Sequence, residues 1–232
     1  MLRKGTLLGA LIILLAITGA EARPKFEIQP FAGLRTATSL GEGYYENDIL
    51  ENLDVAPGAQ FGLTFGIPVG MQGTIGQQGM IELSFSYQQS DLRFEPESMD
   101  RVPDSILGRF EVDDGRLILG DIQVMYLHAG GLYRFGDFSG WLPFVNGGFG
   151  ATIFAAPDGQ ADSETKFSFS FGVGVARMFN ETIGARLGFR GYMTSLPAEE
   201  AYWIDPWGGI WSITDDNWLF QGELSLGLVL TI

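Results

Sequence analysis

Cysteine is absent from all 232 residues. That removes disulfides, thiolate nucleophiles and Cys-ligated metals together. Histidine is nearly absent too: His128 stands alone, too little for a His-rich metal site. Basic residues are scarce, with 14 Lys and Arg against 28 Asp and Glu and a net charge of −14. Nucleic-acid binding relies on cations that neutralise phosphates, so nucleic acid is excluded as a partner. Missing as well is any amphipathic helical pattern longer than two turns, and any linker that would announce a second domain. What the chain does have is glycine, 33 residues of it, much of it inside apolar runs, with 46% hydrophobic and 13% aromatic content. This is ample material for a folded protein and far from a disordered composition.

Residues 1–22 read as a cleavable signal peptide. Arg3 and Lys4 precede an apolar run from Leu7 to Ile17, and Ala20-Glu21-Ala22 has the small-x-small form of a cleavage site. The run is shorter than the ~20 apolar residues of a membrane helix, and no Cys follows it for a lipid anchor. Residues 23–232 then form one domain.

Eight stretches there have strand character, near 25–36, 58–67, 80–91, 117–134, 142–154, 165–178, 182–194 and 218–232. In "IELSFSYQQ", Ile81, Leu83, Phe85 and Tyr87 alternate with Glu82, Ser84, Ser86 and Gln88. The closing "FQGELSLGLVLTI" sets Leu224, Leu226 and Leu228 against Glu223, Ser225 and Gly227. Successive strand side chains point to opposite faces, so each such strand has one greasy and one polar side. The fourth stretch is less regular, and Gly130-Gly131 is its expected bulge. The connections 37–57, 92–116, 155–164 and 195–217 hold 20 of the 28 acidic residues, whereas 68–79, 135–141 and 179–181 hold only Asp137 and Glu181. Four elaborate acidic loops at one end and three trimmed turns at the other suit an all-β fold, an eight-stranded antiparallel up-and-down transmembrane β-barrel.

Alternation alone does not say which face is outside, because a soluble carrier with an apolar cavity has the same pattern. Three features favour a greasy exterior. The polar faces are rich in Gly, Ser and Gln, which suits the cramped interior of eight strands. Their charges balance: Arg35, Lys166, Arg186 and Arg190 against Glu27, Glu82, Asp121 and Glu223. An enclosed space needs such pairing, since an unpaired buried charge is costly. Aromatics collect near both ends, Phe26, Tyr133, Phe135, Phe138, Trp141, Phe144 and Phe179 at one, Tyr192, Tyr202, Trp203 and Trp218 at the other. Paired aromatic belts mark a bilayer interface. The expectation is an ion-pair network of these eight charged residues plugging the lumen.

The segments "FEIQPFAGLR", "IELSFSYQQSDL", "YLHAGGLYRFG", "PFVNGGFGAT", "KFSFSFGVGVARMF", "IGARLGFRGYMT" and "FQGELSLGLVL", in that order, resemble the bacterial outer-membrane β-barrel domain family, small proteins related in architecture to the OmpA transmembrane domain. The resemblance runs across nearly all of residues 25–232. It implies an outer-membrane location, contact with outer-membrane lipid, and insertion by the barrel-assembly machinery. Such chains commonly end in an aromatic residue, and this one ends in Ile232. OmpA-like wall anchoring is not expected.

No residue set argues for an enzyme or a cofactor. A deacylase-type site needs a His–Ser pair near the outer rim, but His128 lies late in its strand and reads as an interfacial or packing side chain. "GVGVAR" and "GGFGAT" do not join a strand to a helix, so they are not phosphate loops. "EVDDGR" is no calcium loop, and no metal is expected. The loop "AYWIDPWGGIW" carries Trp203, Trp207 and Trp211, a possible contact surface for a saccharide, an apolar ligand or a protein; the alternative is rest on the outer leaflet or the rim. The sequence thus points to a monomeric outer-membrane barrel with a structural or surface-interaction role. A narrow or gated channel, a lipocalin-like carrier and a lipid-modifying enzyme are the alternatives, in that order.

Overall fold

The computed structural model describes residues 26–45, 48–69, 77–96, 102, 107–108, 110–156, 163–196, 201–204, 210–213 and 217–232. The signal segment 1–22 and Trp207 lie outside them. Thirteen strands appear among the described residues. Eight are the long strands of the sequence pattern: β1 (Glu27–Arg35), β4 (Gly58–Val69), β5 (Gln77–Phe94), β7 (Arg116–Phe135), β8 (Leu142–Ala155), β9 (Glu164–Met178), β10 (Ile183–Leu196) and β13 (Asn217–Thr231). Five lie in the connections: β2 (Thr38–Tyr45), β3 (Asp48–Val55), β6 (Glu111–Asp113), β11 (Ala201–Ile204) and β12 (Ile210–Ile213).

Every pairing is antiparallel. Going round, β1 pairs with β4, β4 with β5, β5 with β7, β7 with β8, β8 with β9, β9 with β10, β10 with β13, and β13 with β1 again. Each of the eight long strands therefore has two hydrogen-bonded neighbours, and this circuit has no free edge. The seam is sealed at its end, where Phe26 and Ile232 exchange backbone hydrogen bonds of 3.0 and 2.9 Å.

Three connections read as loops carry strands. β2 and β3 pair with each other, β3 with the end of β5, β12 with β2, and β11 with β12, while β6 pairs with β7. These segments, such as "DILENLDV", lack clean alternation. β3 and β6 pair directly with the ring strands β5 and β7, and β2, β12 and β11 extend outward from β3 in turn, partnerships that a local pattern does not reveal.

The bulge also sits elsewhere than the glycine pair suggests. Ile81↔Gly131 and Glu82↔Gly130 are in continuous register, and the shift falls where Leu92 faces Gly120 and Arg93 faces Ile118. Leu119 is the extra residue, and Gly120 takes φ +146°, a conformation open to glycine. Leu117 is buried before the bulge, and Ile122, Val124, Tyr126, His128, Leu132 and Arg134, all even-numbered, are buried after it. The bulge thus reverses the alternation of β7.

The faces separate sharply. Leu224, Leu226 and Leu228 are 54%, 62% and 51% exposed, while Glu27, Glu82 and Glu223 are at most 5% exposed. Apolar side chains coat the outside all round the ring, among them Phe61, Leu83, Leu127, Phe149, Phe171 and Leu187. Two of the aromatics assigned to the end belts, Phe144 and Tyr192, point inward and are buried instead. Parity decides this: both share the inward phase of their strands.

Candidate functional site: a filled lumen in two storeys

Inward-facing side chains fill the ring, and they differ along its length. At the short-turn end, Arg134 donates from both terminal nitrogens to Glu27, at 2.7 Å each, and to Gln78 at 3.2 Å. Gln29 also donates to Glu27, at 2.9 Å. Next comes Arg186, which donates to Gln29 and, at 2.9 Å, to Glu82. Its guanidinium lies 4.0 Å from the centre of the Phe144 ring. Glu82 accepts further from Asn146 at 3.2 Å and from Arg190 at 3.5 Å, and Arg190 donates to Ser84 at 2.9 Å.

Farther in, Arg35 reaches Glu223 at 3.0 Å, Ser86 at 2.6 Å and Gln88 at 3.4 Å. Its guanidinium sits over the rings of Tyr126 and Tyr192, which stack with centroids 4.0 Å apart. The Tyr192 hydroxyl donates to Glu223 at 3.0 Å, and that of Tyr126 to Gln221 at 2.9 Å. Guanidinium held between aromatic faces and a carboxylate satisfies its plane and its edge at once.

Above the tyrosines the filling becomes mainly apolar, its buried hydroxyls satisfied, as where Thr152 and Thr194 lie 2.8 Å apart. Leu40, Leu53, Val55, Leu92, Ile122, Val124, Phe154 and Leu219 form a cluster that includes both tyrosines. Phe94, Val102 and Leu117 form a second one, joined to the first by Leu119. The hairpin of β2 and β3 supplies Leu40, Leu53 and Val55, so the loop-end strands help to close the mouth. An ionic storey under an apolar one was not expected; the sequence reading filled the whole lumen with ion pairs.

Of the eight predicted network residues, Glu27, Arg35, Glu82, Arg186, Arg190 and Glu223 meet inside. Asp121 does not: it is exposed on the outer face and accepts from Gln89 at 3.3 Å. The bulge of β7 and its even-numbered inward phase put residue 121 outside. Lys166 shares the inward phase of β9 but stays at the rim, paired with the half-exposed Glu164 at 2.5 Å. Arg134 was missed. Its parity with Tyr126, His128 and Leu132 was a usable signal, hidden because that face mixes apolar and polar residues.

Of the two expectations for His128, packing holds and an interfacial place does not: it lies on the inner face, 2% exposed, in the second half of β7. Nδ1 is 2.8 Å from Ser170 Oγ and Nε2 is 2.7 Å from Ser168 Oγ. In a neutral ring one nitrogen donates and the other accepts, so both are satisfied. The cavity beside it, lined by Glu82, Ser84, His128, Ser170 and Arg190, measures about 10 Å³, room for a water at most. The contact therefore braces β7 against β9. Among the described residues no group of three metal-ligating side chains occurs.

Glycine makes this crowding possible. A Cβ on Gly174 would lie 2.3 Å from Phe144 Cζ, whereas one on Gly188 would meet the same atom at 3.6 Å. Gly174→Ala is expected to press on both Phe144 and the Leu187 carbonyl oxygen, 2.4 Å from the added Cβ, and cost ~1–3 kcal/mol, with Gly188→Ala near neutral. Urea titration of the two refolded variants checks the contrast; equal midpoints would contradict it.

A ring of antiparallel strands with an apolar outer surface and an ionic filling defines an outer-membrane β-barrel protein. The chain belongs to the outer membrane protein beta-barrel domain family, whose model matches residues 10–220. No curated protein matches the sequence. Among solved structures it is similar to OprG of Pseudomonas aeruginosa, at 15% identity over 89% of this chain and 96% of that one, with a TM-score of 0.50. It is similar too to the outer membrane protease OmpT of Escherichia coli, at 7% identity over 93% and 100%, TM-score 0.50. Neisserial surface protein A covers 90% of this chain with 100% of its own, at 12% identity and a TM-score of 0.48. Likeness at such identities is one of fold. Membership of that family indicates the bacterial outer membrane.

Proposed function

We propose that this chain is a small integral outer-membrane barrel whose eight long strands span the bilayer and whose lumen is closed, serving a structural or surface-interaction role rather than an enzymatic one. One observation carries the reading: a coat of leucines and phenylalanines, Leu224, Leu226 and Phe171 among them, faces outward all round the ring while Glu27, Glu82, Glu223, Arg35, Arg134 and Arg190 are buried inside it. Water would favour the reverse; hydrocarbon favours this. Residues 1–22 are removed on export, the barrel-assembly machinery inserts the single domain 23–232, and the barrel works as a monomer. The Trp-bearing hairpin, in which Trp203 and Trp211 stand opposite in register, contributes the surface contact.

Closure of the lumen follows from the two storeys, because an ion would have to cross both a guanidinium–carboxylate lattice and a packed apolar layer. Membrane fractionation should place the protein with outer membranes, and the unheated sample should migrate differently from the boiled one on a gel. In planar bilayers it should give no stable channel steps. Reproducible openings would replace the closed reading with that of a narrow channel.

A further inference from the structure

The ionic storey does not balance. Deep in the lumen, among the described residues, stand four guanidiniums (Arg35, Arg134, Arg186 and Arg190) but three carboxylates (Glu27, Glu82 and Glu223). Lys166 is separate, held at the rim by its own partner Glu164. Glu27 is taken up by both terminal nitrogens of Arg134. Glu223 serves Arg35 and the Tyr192 hydroxyl. Glu82 is divided between Arg186 at 2.9 Å and Arg190 at 3.5 Å. The surplus positive charge therefore falls on the Arg186–Arg190 pair: the other close partners of Arg190, the hydroxyls of Ser84 and Tyr192, are neutral, and Glu223 acts on it only from beyond ion-pair distance. A buried charge without a counter-charge is costly.

Next to this pair is a cavity of about 20 Å³, lined by Arg186, Arg190, Thr64, Ser225 and Asn146 among others. That is space for one or two water-sized particles, too little for a tetrahedral oxyanion, and one negative charge is what the surplus requires. Glu223 also lines the cavity, but its carboxylate is already committed to Arg35. We propose that the lumen binds a single small monovalent anion, of the chloride class, between Arg186 and Arg190, as a structural counter-ion. The inference rests on the reading of the ring as a barrel buried in lipid, which gel mobility tests separately.

The test is halide-dependent stability of the refolded protein in detergent micelles. Urea midpoints are compared in sodium chloride, sodium bromide and sodium gluconate at one total ionic strength, with correct folding confirmed by gel mobility. Both halides should stabilise saturably, by about tenfold in the folded-to-unfolded ratio at ten times the dissociation constant, and gluconate should not. Thr64→Asp supplies a fixed carboxylate to the same cavity, and Arg190→Gln removes the surplus; each should abolish the halide response. Equal wild-type midpoints in chloride and gluconate would overturn the proposal, as would a halide response that survives in both variants. Should neither variant fold, crystals of the wild type grown in bromide decide: an anomalous peak between Arg186 and Arg190 supports the site, and none there sinks it.

Discussion

Arg35→Met should lower the stability of the refolded barrel by ~3–5 kcal/mol, the largest single loss expected in the lumen. Arg35 is fully buried, and the carboxylate of Glu223 has no other cation within ion-pair distance among the described residues. Removing the guanidinium strands that charge, takes away the donor to Ser86 and leaves the Gln88 oxygen only its longer bond from Gln221. Arg186→Ala should cost less, because Arg190 and Asn146 still reach Glu82. The decisive comparison is the double variant Arg35→Met/Glu223→Leu. Replacing both members of a buried pair by apolar side chains is often close to neutral, so the double variant should recover most of the loss. Denaturant titrations of the three proteins give the coupling directly. Additive losses would mean that the two side chains do not act as a pair.

The second large effect is expected on the opposite face. Leu226→Arg should destabilise the barrel in lipid by ~2–4 kcal/mol, the range for a cation near the bilayer midplane. Leu226 stands between Ala32 of β1 and Leu187 of β10 in register, and all three point away from the lumen. Among the described residues its neighbours in register, Ala32 and Leu187, offer no partner for a charge. Refolding yield and urea midpoint in phospholipid vesicles measure the effect. Leu226→Ala controls for lost side-chain volume. A Leu226→Arg barrel as stable in vesicles as the alanine variant would remove the hydrocarbon from this surface, and with it the proposed location.

Both predictions join a face that alternation reveals to a partner that it does not. The parity of "IELSFSYQQ" already separates Glu82 from Leu83, because the strand period of two is a local property of the backbone. Family segments and loop lengths, likewise local, indicated the order of the long strands. The height of each side chain within the lumen is not local. Glu27 meets Arg134 across 107 positions and Glu223 meets Arg35 across 188. Whether two inward residues share a level depends on the accumulated stagger of the strands between them. For that reason Lys166, although it shares the inward phase of β9, does not reach the partners that charge balance alone assigns to it. Asp121 shows the other limit, since the bulge in β7 fixes which parity faces inward and arises from pairing with β5.

The sequence by itself determined which side of the cleanly alternating strands is greasy, where the long strands lie, and that inward charges of opposite sign need one another. Local alternation and composition suffice for these, because each depends on neighbours one or two residues apart. Only the tertiary structure decided which guanidinium meets which carboxylate, that the outer half of the lumen is mainly apolar, and that one positive charge is left over. These depend on how strands far apart in the chain are offset when the ring closes.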